Sequence, residues 1–464
     1  MTAGTIRFGT DGWRGIIAED FTFDNVRSCA QAIASYAVER KLSAQGIVVG
    51  YDTRFASENF AQDVAYVLCG NGVATYLCSS PSPTPAVSFG VHKMGAAMGI
   101  IITASHNPPL WNGIKLRMND GTSAPAEVVS EIEQRIGQEI VKASGSNVKL
   151  IDLRKDYIDY LSSFTMVAKV KESKLKVVID PMHGAGAGFL PQVLNGGEIN
   201  IEEINWERNP LFPGMIQPEP ISKNLGRLKA EVVERKADVG LALDADADRL
   251  GVVDEEGKFL TTHEVFSLLS FYFLDVLNMR GPIVKTITST RMLQRLGEIY
   301  RVDVYEVPVG FKHVSHKMLE VNALIGGEES GGYGFREYLS ERDGALSSLF
   351  FLDLMVKKGK RPSELREELF SLVGPHYYRR EDVPLSHERR EELKARLTSL
   401  HPQEVAGKKI TRIQRMDGLH MSTGESWLLL RLSGTEPLIR IYAEGKTEQE
   451  AEDFIREGKR FLKI

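Results

Sequence analysis

Cysteine is scarce: Cys29, Cys69 and Cys78 are the only three in 464 residues, and all fall in the first fifth of the chain. No two form a Cys-x-x-Cys pair, so the pattern offers neither a disulfide framework nor a thiolate metal site. An odd, sparse set suits reduced core thiols and predicts a cytoplasmic location. Long hydrophobic runs are missing too. The opening Met1-Thr2-Ala3-Gly4-Thr5 leads into none, which predicts no signal peptide. The most apolar later stretch, residues 265–277, is short and contains Asp275, so a buried helix is expected there and no membrane span. An excess of one charge is absent: 57 Lys+Arg against 62 Asp+Glu leave a net charge of -5. Broad binding to nucleic acid or to an anionic membrane requires clustered cations, so neither is expected as a partner. A local basic cleft remains compatible with that total. No low-complexity tract interrupts the chain.

What is present is the composition of an ordinary globular chain, 42% hydrophobic and 26% charged. Its length calls for about three or four domains. Apolar runs at 46–52, 99–103 and 176–180 read as strands buried on both faces. Between them lie helix-length segments such as 25–41, with Val26, Cys29, Ala30, Ile33 and Ala37 at helical spacing. This alternation predicts α/β layers with mixed or mostly parallel sheets. Boundaries are expected near 150, where the charged region 131–149 and its Ser144-Gly145-Ser146-Asn147 stretch precede a new helical pattern, after the Asp254-Glu255-Glu256-Gly257 turn, and near Gly374-Pro375, beyond the linker-like basic stretch 357–362. The expected domains are 1–150, 151–257, 258–373 and 374–464. The last differs in kind: a charged helix at 387–400, strands at 427–432 and 438–443, then a closing helix, an α+β pattern.

Four loops carry chemistry. Thr103-Ala104-Ser105-His106-Asn107-Pro108 directly follows a buried strand, which places Ser105 at its carboxyl end, where α/β sheets bind ligands. An exposed serine hydroxyl beside a histidine serves as nucleophile or phosphate carrier; a plain Ser/Asn turn with a surface histidine is the bland alternative. In Asp244-Ala245-Asp246-Ala247-Asp248-Arg249, carboxylates at every second position can converge on one hard cation. A solvated acidic turn or an EF-hand-like loop is the alternative, the latter disfavoured because Arg249 stands where such a loop needs glycine. Gly326-Gly327-Glu328-Glu329-Ser330-Gly331-Gly332 offers carboxylate and hydroxyl groups suited to sugar hydroxyls, or is only a Gly-rich turn. In Arg431-Leu432-Ser433-Gly434-Thr435-Glu436-Pro437, backbone N–H groups and an arginine can grip phosphate; a hairpin turn is the alternative, and Glu436 would have to point away. Two further segments, Phe8-Gly9-Thr10-Asp11-Gly12-Trp13-Arg14-Gly15 and Tyr51-Asp52-Thr53-Arg54, each place an arginine on a turn, where a surface salt bridge is the simple reading.

Together and in this order, the four loops resemble those of the α-D-phosphohexomutase superfamily, which includes phosphoglucomutases and phosphomannomutases. The resemblance runs from Phe8 to the last strand. It implies an α/β fold of four domains around a central cleft, three similar α/β domains and a C-terminal α+β domain, with one key loop in each. It implies that Ser105 is the phosphoserine of the active enzyme and shares Mg²⁺ with Asp244, Asp246 and Asp248. Arg14 and Lys115 match positions that assist proton transfer, and Arg249 would lie near the transferring group. Lys312, in Val309-Gly310-Phe311-Lys312-His313, falls in the loop that reads sugar orientation. Glu328 and Ser330 would contact sugar hydroxyls, and Arg431, Ser433, Gly434 and Thr435 would grip the phosphate that is not reacting. Hexose phosphates are the implied partners, hexose 1,6-bisphosphate the implied intermediate or activator, and a monomer or homodimer the implied assembly. The Gly-Glu-Glu-Ser-Gly-Gly loop differs from the Gly-Glu-Gln-Ser-Gly-His usual in phosphoglucosamine mutases and the Gly-Glu-Met-Ser-Gly-His frequent in dual-specificity enzymes. It stands nearer the glucose-preferring branch, so phosphoglucomutase is expected first and phosphomannomutase or dual specificity next. A metal-dependent sugar phosphatase and a non-enzymatic phosphosugar-binding scaffold are the rivals from other classes.

Overall fold

The computed structural model describes residues 6–9, 11–141, 147–336, 338–434 and 437–464. The opening residues 1–5, Thr10, the Ser144-Gly145-Ser146 stretch read as a boundary, and Thr435 and Glu436 lie outside the described residues. The chain forms two compact units, one of residues 1–265 with 330–364, the other of 266–329 with 365–464.

The first unit holds two sheets. The six-stranded sheet runs in the order Trp13–Ile16, Trp111–Met118, Met98–Ile102, Ile47–Tyr51, Thr75–Cys78, Lys149–Ile151. Ile47–Tyr51 pairs in parallel with both Met98–Ile102 and Thr75–Cys78, whereas Trp111–Met118 is antiparallel to its neighbours. All five residues of Ile47–Tyr51 and of Met98–Ile102 are buried, because helices Ser57–Gly70 and Thr84–Met94 pack directly against these strands. A parallel strand covered on both faces reads as an unbroken apolar run, which is the pattern these segments carry. The helix expected at 25–41 is Phe23–Glu39, entered through Thr22, whose hydroxyl accepts from the Asn25 N–H. The five-stranded sheet has the order Phe259–Leu260, Leu250–Asp254, Val239–Leu243, Lys176–Asp180, Asn200–Glu203. Val239–Leu243 is parallel to Lys176–Asp180 but antiparallel to Leu250–Asp254, so residues 244–249 close a hairpin. The basic 357–362 stretch that looked like a linker is instead the end of helix Gly344–Lys358, a left-handed Gly359, and the start of helix Pro362–Val373.

The second unit joins three parallel strands, Val304–Val307, Ile283–Thr286 and Ile325–Gly327, to an antiparallel sheet of five. The latter runs Tyr377–Pro384, Leu438–Gly445, Trp427–Leu432, Leu419–Ser422, Arg412–Gln414. Helix Glu448–Leu462 buries Ala451, Phe454, Ile455, Gly458 and Leu462 at three- and four-residue spacing, the stripe a helix lays on a sheet. Ile287, Trp427, Leu429 and Tyr442 form one apolar cluster between the two parts of this unit. The apolar stretch at 265–277 is a helix, Thr262–Phe271, continued by a π-turn over Tyr272–Val276. Among the described residues no helix is long and apolar enough to cross a membrane.

His420 is buried against Trp427, ring centroids 5.2 Å apart. Burial pushes it down to about 4 from an ordinary 6.5, with Lys285, Arg412 and Arg291 adding and Glu306 opposing. A histidine whose folded pKa lies below its unfolded one contributes stability that is full above about 6.5 and is lost as pH falls towards 4. Urea unfolding of the wild type is therefore expected to lose on the order of 2–3 kcal/mol from this one group between pH 7 and 4.5, and His420→Gln to flatten that part of the profile.

Candidate active site

The carboxyl ends of the parallel strands place the chemistry of the first unit. Met98–Ile102 delivers Thr103 and Ser105, Ile47–Tyr51 delivers Asp52, and Val239–Leu243 delivers Asp244. Ser105 is fully buried, not exposed as expected, and its φ is 51°, in the left-handed region. A non-glycine residue there costs on the order of 1–3 kcal/mol and persists only where the surroundings hold it. Its Oγ donates to Asp244 Oδ2 at 2.9 Å, and His106 Nδ1 lies 3.4 Å from the same Oγ. Burial first, then Arg249, Arg14 and Lys115, holds His106 well below its ordinary value, which keeps the ring neutral.

Asp244, Asp246 and Asp248 do converge, each offering a carboxylate oxygen within 4.8 Å of the others, and all three are buried. They line a β-hairpin turn, which removes the EF-hand alternative, and their burial removes the solvated-turn alternative. Asp244 Oδ1 accepts from the backbone N–H groups of Asp248 and Arg249, at 2.9 and 3.1 Å, which fixes the turn. Burial and the two neighbouring carboxylates raise Asp244 well above the usual carboxylate range. Asp246 moves the other way: burial opposes ionisation, but Lys115 and a hydrogen bond from Thr84 outweigh it.

Cations balance this load. Lys115, on strand Trp111–Met118 and almost fully buried, sets Nζ 2.8 Å from both Asp246 and Asp248 and 3.0 Å from Asp11. Burial alone would lower the ammonium, but Asp11, Asp246 and Asp248 together raise it, so it keeps its proton. Arg249 lies 3.8 Å from Asp244, 3.9 Å from Asp248 and 3.4 Å from Glu219. Arg342 reaches Asp248 at 3.0 Å and also pairs with Asp11. Asp11 in turn takes Arg117 at 3.2 Å, and despite burial these cations and Arg14 hold it well below the usual range. Arg14 donates to the Asn107 side chain, so it braces the Ser105 loop.

Ser330 also belongs to this unit. Its neighbour Gly331 accepts from the Leu250 N–H at 2.9 Å, next to Arg249. Gly331 has a φ of 88°, and a Cβ there would meet Leu250 O at 2.9 Å, so both torsion and space call for glycine. Ser330 Oγ is buried without a hydrogen-bond partner. Lys312, Glu328, Arg431, Ser433 and Gly434 lie in the second unit. Lys312 is the second residue of helix Phe311–Val321, whose N-cap Gly310 donates its N–H to Glu328 Oε1 at 3.0 Å. Arg431, on Trp427–Leu432, pairs with Asp417 at 2.9 Å, and Asp417 also accepts from the Val309 N–H at 3.1 Å. Asp417 thus ties the Arg431 strand to the Lys312 loop. Ser433 is buried with its carbonyl accepting from Arg390 at 2.7 Å, and Gly434 is exposed.

Asp11, Thr84, Arg342 and Asp417 complete these contacts, and the sequence marks none of them as a site residue. Asp11 lies in the Phe8–Gly15 segment; the others stand alone among polar neighbours and have no local signal. Arg54, for which a surface salt bridge is the simple reading of the sequence, is fully buried.

The residues present fit a hard divalent cation. Three oxygen donors converge, and Oδ1 of both Asp246 and Asp248 is buried without a hydrogen-bond partner, a cost a bound cation would offset.

Models of the phosphoglucomutase/phosphomannomutase family match this chain four times: alpha/beta/alpha domain I over residues 5–142, domain II over 155–257, domain III over 261–373, and the C-terminal domain over 391–457. The chain belongs to this family, and it is an enzyme of the phosphohexomutase class. A phosphoglucomutase/phosphomannomutase of Thermococcus kodakarensis is 32% identical over 459 residues, 98% of each chain. A phosphoglucosamine/phosphogalactosamine mutase of Sulfurisphaera tokodaii is 31% identical over 463 residues, again 98% of each. A crystal structure named for phosphomannomutase, from Thermus thermophilus, superposes with a TM-score of 0.89 at 35% identity and full coverage of both chains.

Magnesium is expected to raise the melting temperature of the wild type, by the equivalent of about 2.7 kcal/mol at a hundredfold excess over Kd. In Asp248→Asn, which loses one of the three charged donors, differential scanning fluorimetry is expected to show most of that shift gone.

Proposed function

We propose that this enzyme interconverts hexose 1-phosphates and hexose 6-phosphates through a phosphoserine at Ser105 and a hexose 1,6-bisphosphate, with glucose as the preferred sugar. The observation that carries this reading is the 2.9 Å contact between Ser105 Oγ and Asp244, within a carboxylate cluster ringed by Lys115, Arg249 and Arg342. A phosphoserine adds about two negative charges, and fixed cations are what a buried site needs to tolerate them.

Asp244, Asp246 and Asp248, with an oxygen on Ser105, would hold Mg²⁺, which when bound polarises the phosphoryl oxygens and offsets their charge. The rest falls to the chain's own residues. A sugar hydroxyl oxygen attacks phosphorus, the bond from phosphorus to Ser105 Oγ breaks, and Ser105 Oγ takes up a proton as the hydroxyl gives one up. Positioning and charge supply most of the rate. Lys115 and Arg249 stand as cations beside the transferring group, with Arg14 assisting proton movement and holding Asn107. The bisphosphate then presents its other phosphate to Ser105. That step requires a grip indifferent to which phosphate it holds, the role assigned to Arg431, Ser433, Gly434 and Thr435. Glu328, Ser330 and Lys312 are assigned the sugar, and the unpartnered Ser330 hydroxyl supports its share in that role.

Glucose is supported by the third loop, Gly-Glu-Glu-Ser-Gly-Gly over residues 327–332, which stands nearer the glucose-preferring branch than the motifs of amino-sugar or dual-specificity mutases. The name of the Sulfurisphaera relative favours an amino sugar as a second reading, and that of the Thermus structure favours mannose. Initial rates on glucose, mannose and glucosamine 1-phosphates decide among them. Ser105→Ala is expected to fold as the wild type does and to lose activity by about 10³-fold or more in a coupled assay of glucose 6-phosphate formation. Release of inorganic phosphate at the rate of substrate loss would instead indicate a phosphatase.

A further inference from the structure

Ser105 is held in a backbone conformation that serine does not choose for itself, and the residues that hold it are outside the charged cluster. Arg54 is fully buried. Its guanidinium donates to four carbonyl oxygens of the reactive loop: Ser105 and Asn107 at 2.6 Å, Pro108 and Trp111 at 3.0 Å. Asp52, also fully buried, lies 3.3 Å from Arg54 Nε and accepts from the Thr103 hydroxyl at 2.6 Å. That hydroxyl accepts from the Ser105 N–H at 2.8 Å. Both backbone polar groups of Ser105 are therefore tied to a single buried ion pair, the carbonyl through Arg54 and the amide through Thr103 and Asp52. The pair is itself anchored. Asp52 accepts from the Ser57 hydroxyl and the Arg54 N–H, each at 2.9 Å. Arg208 donates to the carbonyls of Thr53 and Arg54, at 3.1 and 3.2 Å. Phe212 lies beneath the guanidinium, 5.1 Å from ring centroid to carbon.

We infer that Asp52 and Arg54 are positioning residues for phosphoryl transfer, fixing the left-handed Ser105 so that its Oγ stays aimed at Asp244. The inference rests on Ser105 being the phosphoryl carrier. Neither residue is given a contact with substrate; both act through the backbone of Ser105. The carrier must give up its phosphoryl group and receive one back from the same position. A loop free to relax out of the strained conformation would carry Oγ away from its partner at each half-cycle, and displacement of about 1 Å costs about 10²-fold in rate. Lysine cannot replace Arg54, because a compact ammonium does not span four carbonyls as a planar fork does.

Arg54→Lys and Thr103→Val test this. The second removes only the hydroxyl between Asp52 and the Ser105 amide and is close to isosteric, so it carries the test if Arg54→Lys does not fold. Folding is judged by circular dichroism and melting temperature. Steady-state rates on glucose 1-phosphate give the kcat and KM split, and ³²P-labelled glucose 1,6-bisphosphate gives the rate of phosphoryl incorporation at Ser105. The expected result is a folded protein with kcat and incorporation rate both reduced, about tenfold or more for Thr103→Val and about 10²-fold for Arg54→Lys, and KM within about twofold of wild type. A folded variant with wild-type kcat and incorporation rate, or a loss confined to KM, overturns the inference. Failure of the wild type itself to take label at Ser105 would overturn the functional reading instead.

Discussion

One ammonium group organises the first unit. Lys115 Nζ stands within 3.0 Å of Asp11, Asp246 and Asp248, three carboxylates drawn from opposite ends of a long stretch of chain. Out of water, each of these charges would cost several kcal/mol alone, and removing the central partner of such a group typically costs about 3–5 kcal/mol because the others are left uncompensated. Arg342, Arg117 and Arg249 extend the alternation of sign outward. Without Lys115 the aspartate turn would keep Asp246 and Asp248 buried with much of their charge uncompensated. Arg342 is buried where Asp248 and Asp11 meet its guanidinium, with Glu341 3.5 Å from Nε. The charge pattern is a folding constraint, and under the proposed function the cations that neutralise the aspartates are also the groups that would meet phosphate.

The segment carrying Arg342 is pinned as firmly as its partner. The Gly344 N–H donates to Ala247 O at 3.0 Å, inside the aspartate turn, and a Cβ on Gly344 would meet Arg249 O at 2.5 Å. Asp343 caps helix Gly344–Lys358 by accepting from the Leu346 N–H, and it accepts from the Tyr157 hydroxyl as well. The chain therefore returns, about a hundred residues after the aspartate turn, to close its far side. In the second unit Asp417 and Glu328 do comparable work for the Arg431 strand and the Lys312 loop.

How much of this was legible in the sequence follows from the range of each interaction. Strands Ile47–Tyr51 and Met98–Ile102 were readable because burial on both faces leaves an unbroken apolar run. Ser105 and the three aspartates were readable because each sits within a short motif at the end of such a run. The partnerships were not. Asp52 and Arg54 look the same in sequence whether they form a surface pair or a buried one, and what decides it is Thr103 and the carbonyls of residues 105–111, brought in by the sheet. The pairing of Asp11 with Arg342 spans 331 positions and leaves no local trace. The basic stretch at 357–362 resembled a linker because a helix end capped by Gly359 and a helix start at Pro362 use the residues that loops use.

If Ser105 lends a phosphoryl group to the sugar and takes one back, label placed on the serine must pass through the product. A single turnover of ³²P-phosphoenzyme with unlabelled glucose 1-phosphate tests it most directly. Label is expected to leave Ser105 and to appear first in glucose 1,6-bisphosphate and then in glucose 6-phosphate, with none released as inorganic phosphate. Label that stays on the protein while product forms, or that appears as inorganic phosphate, would contradict it.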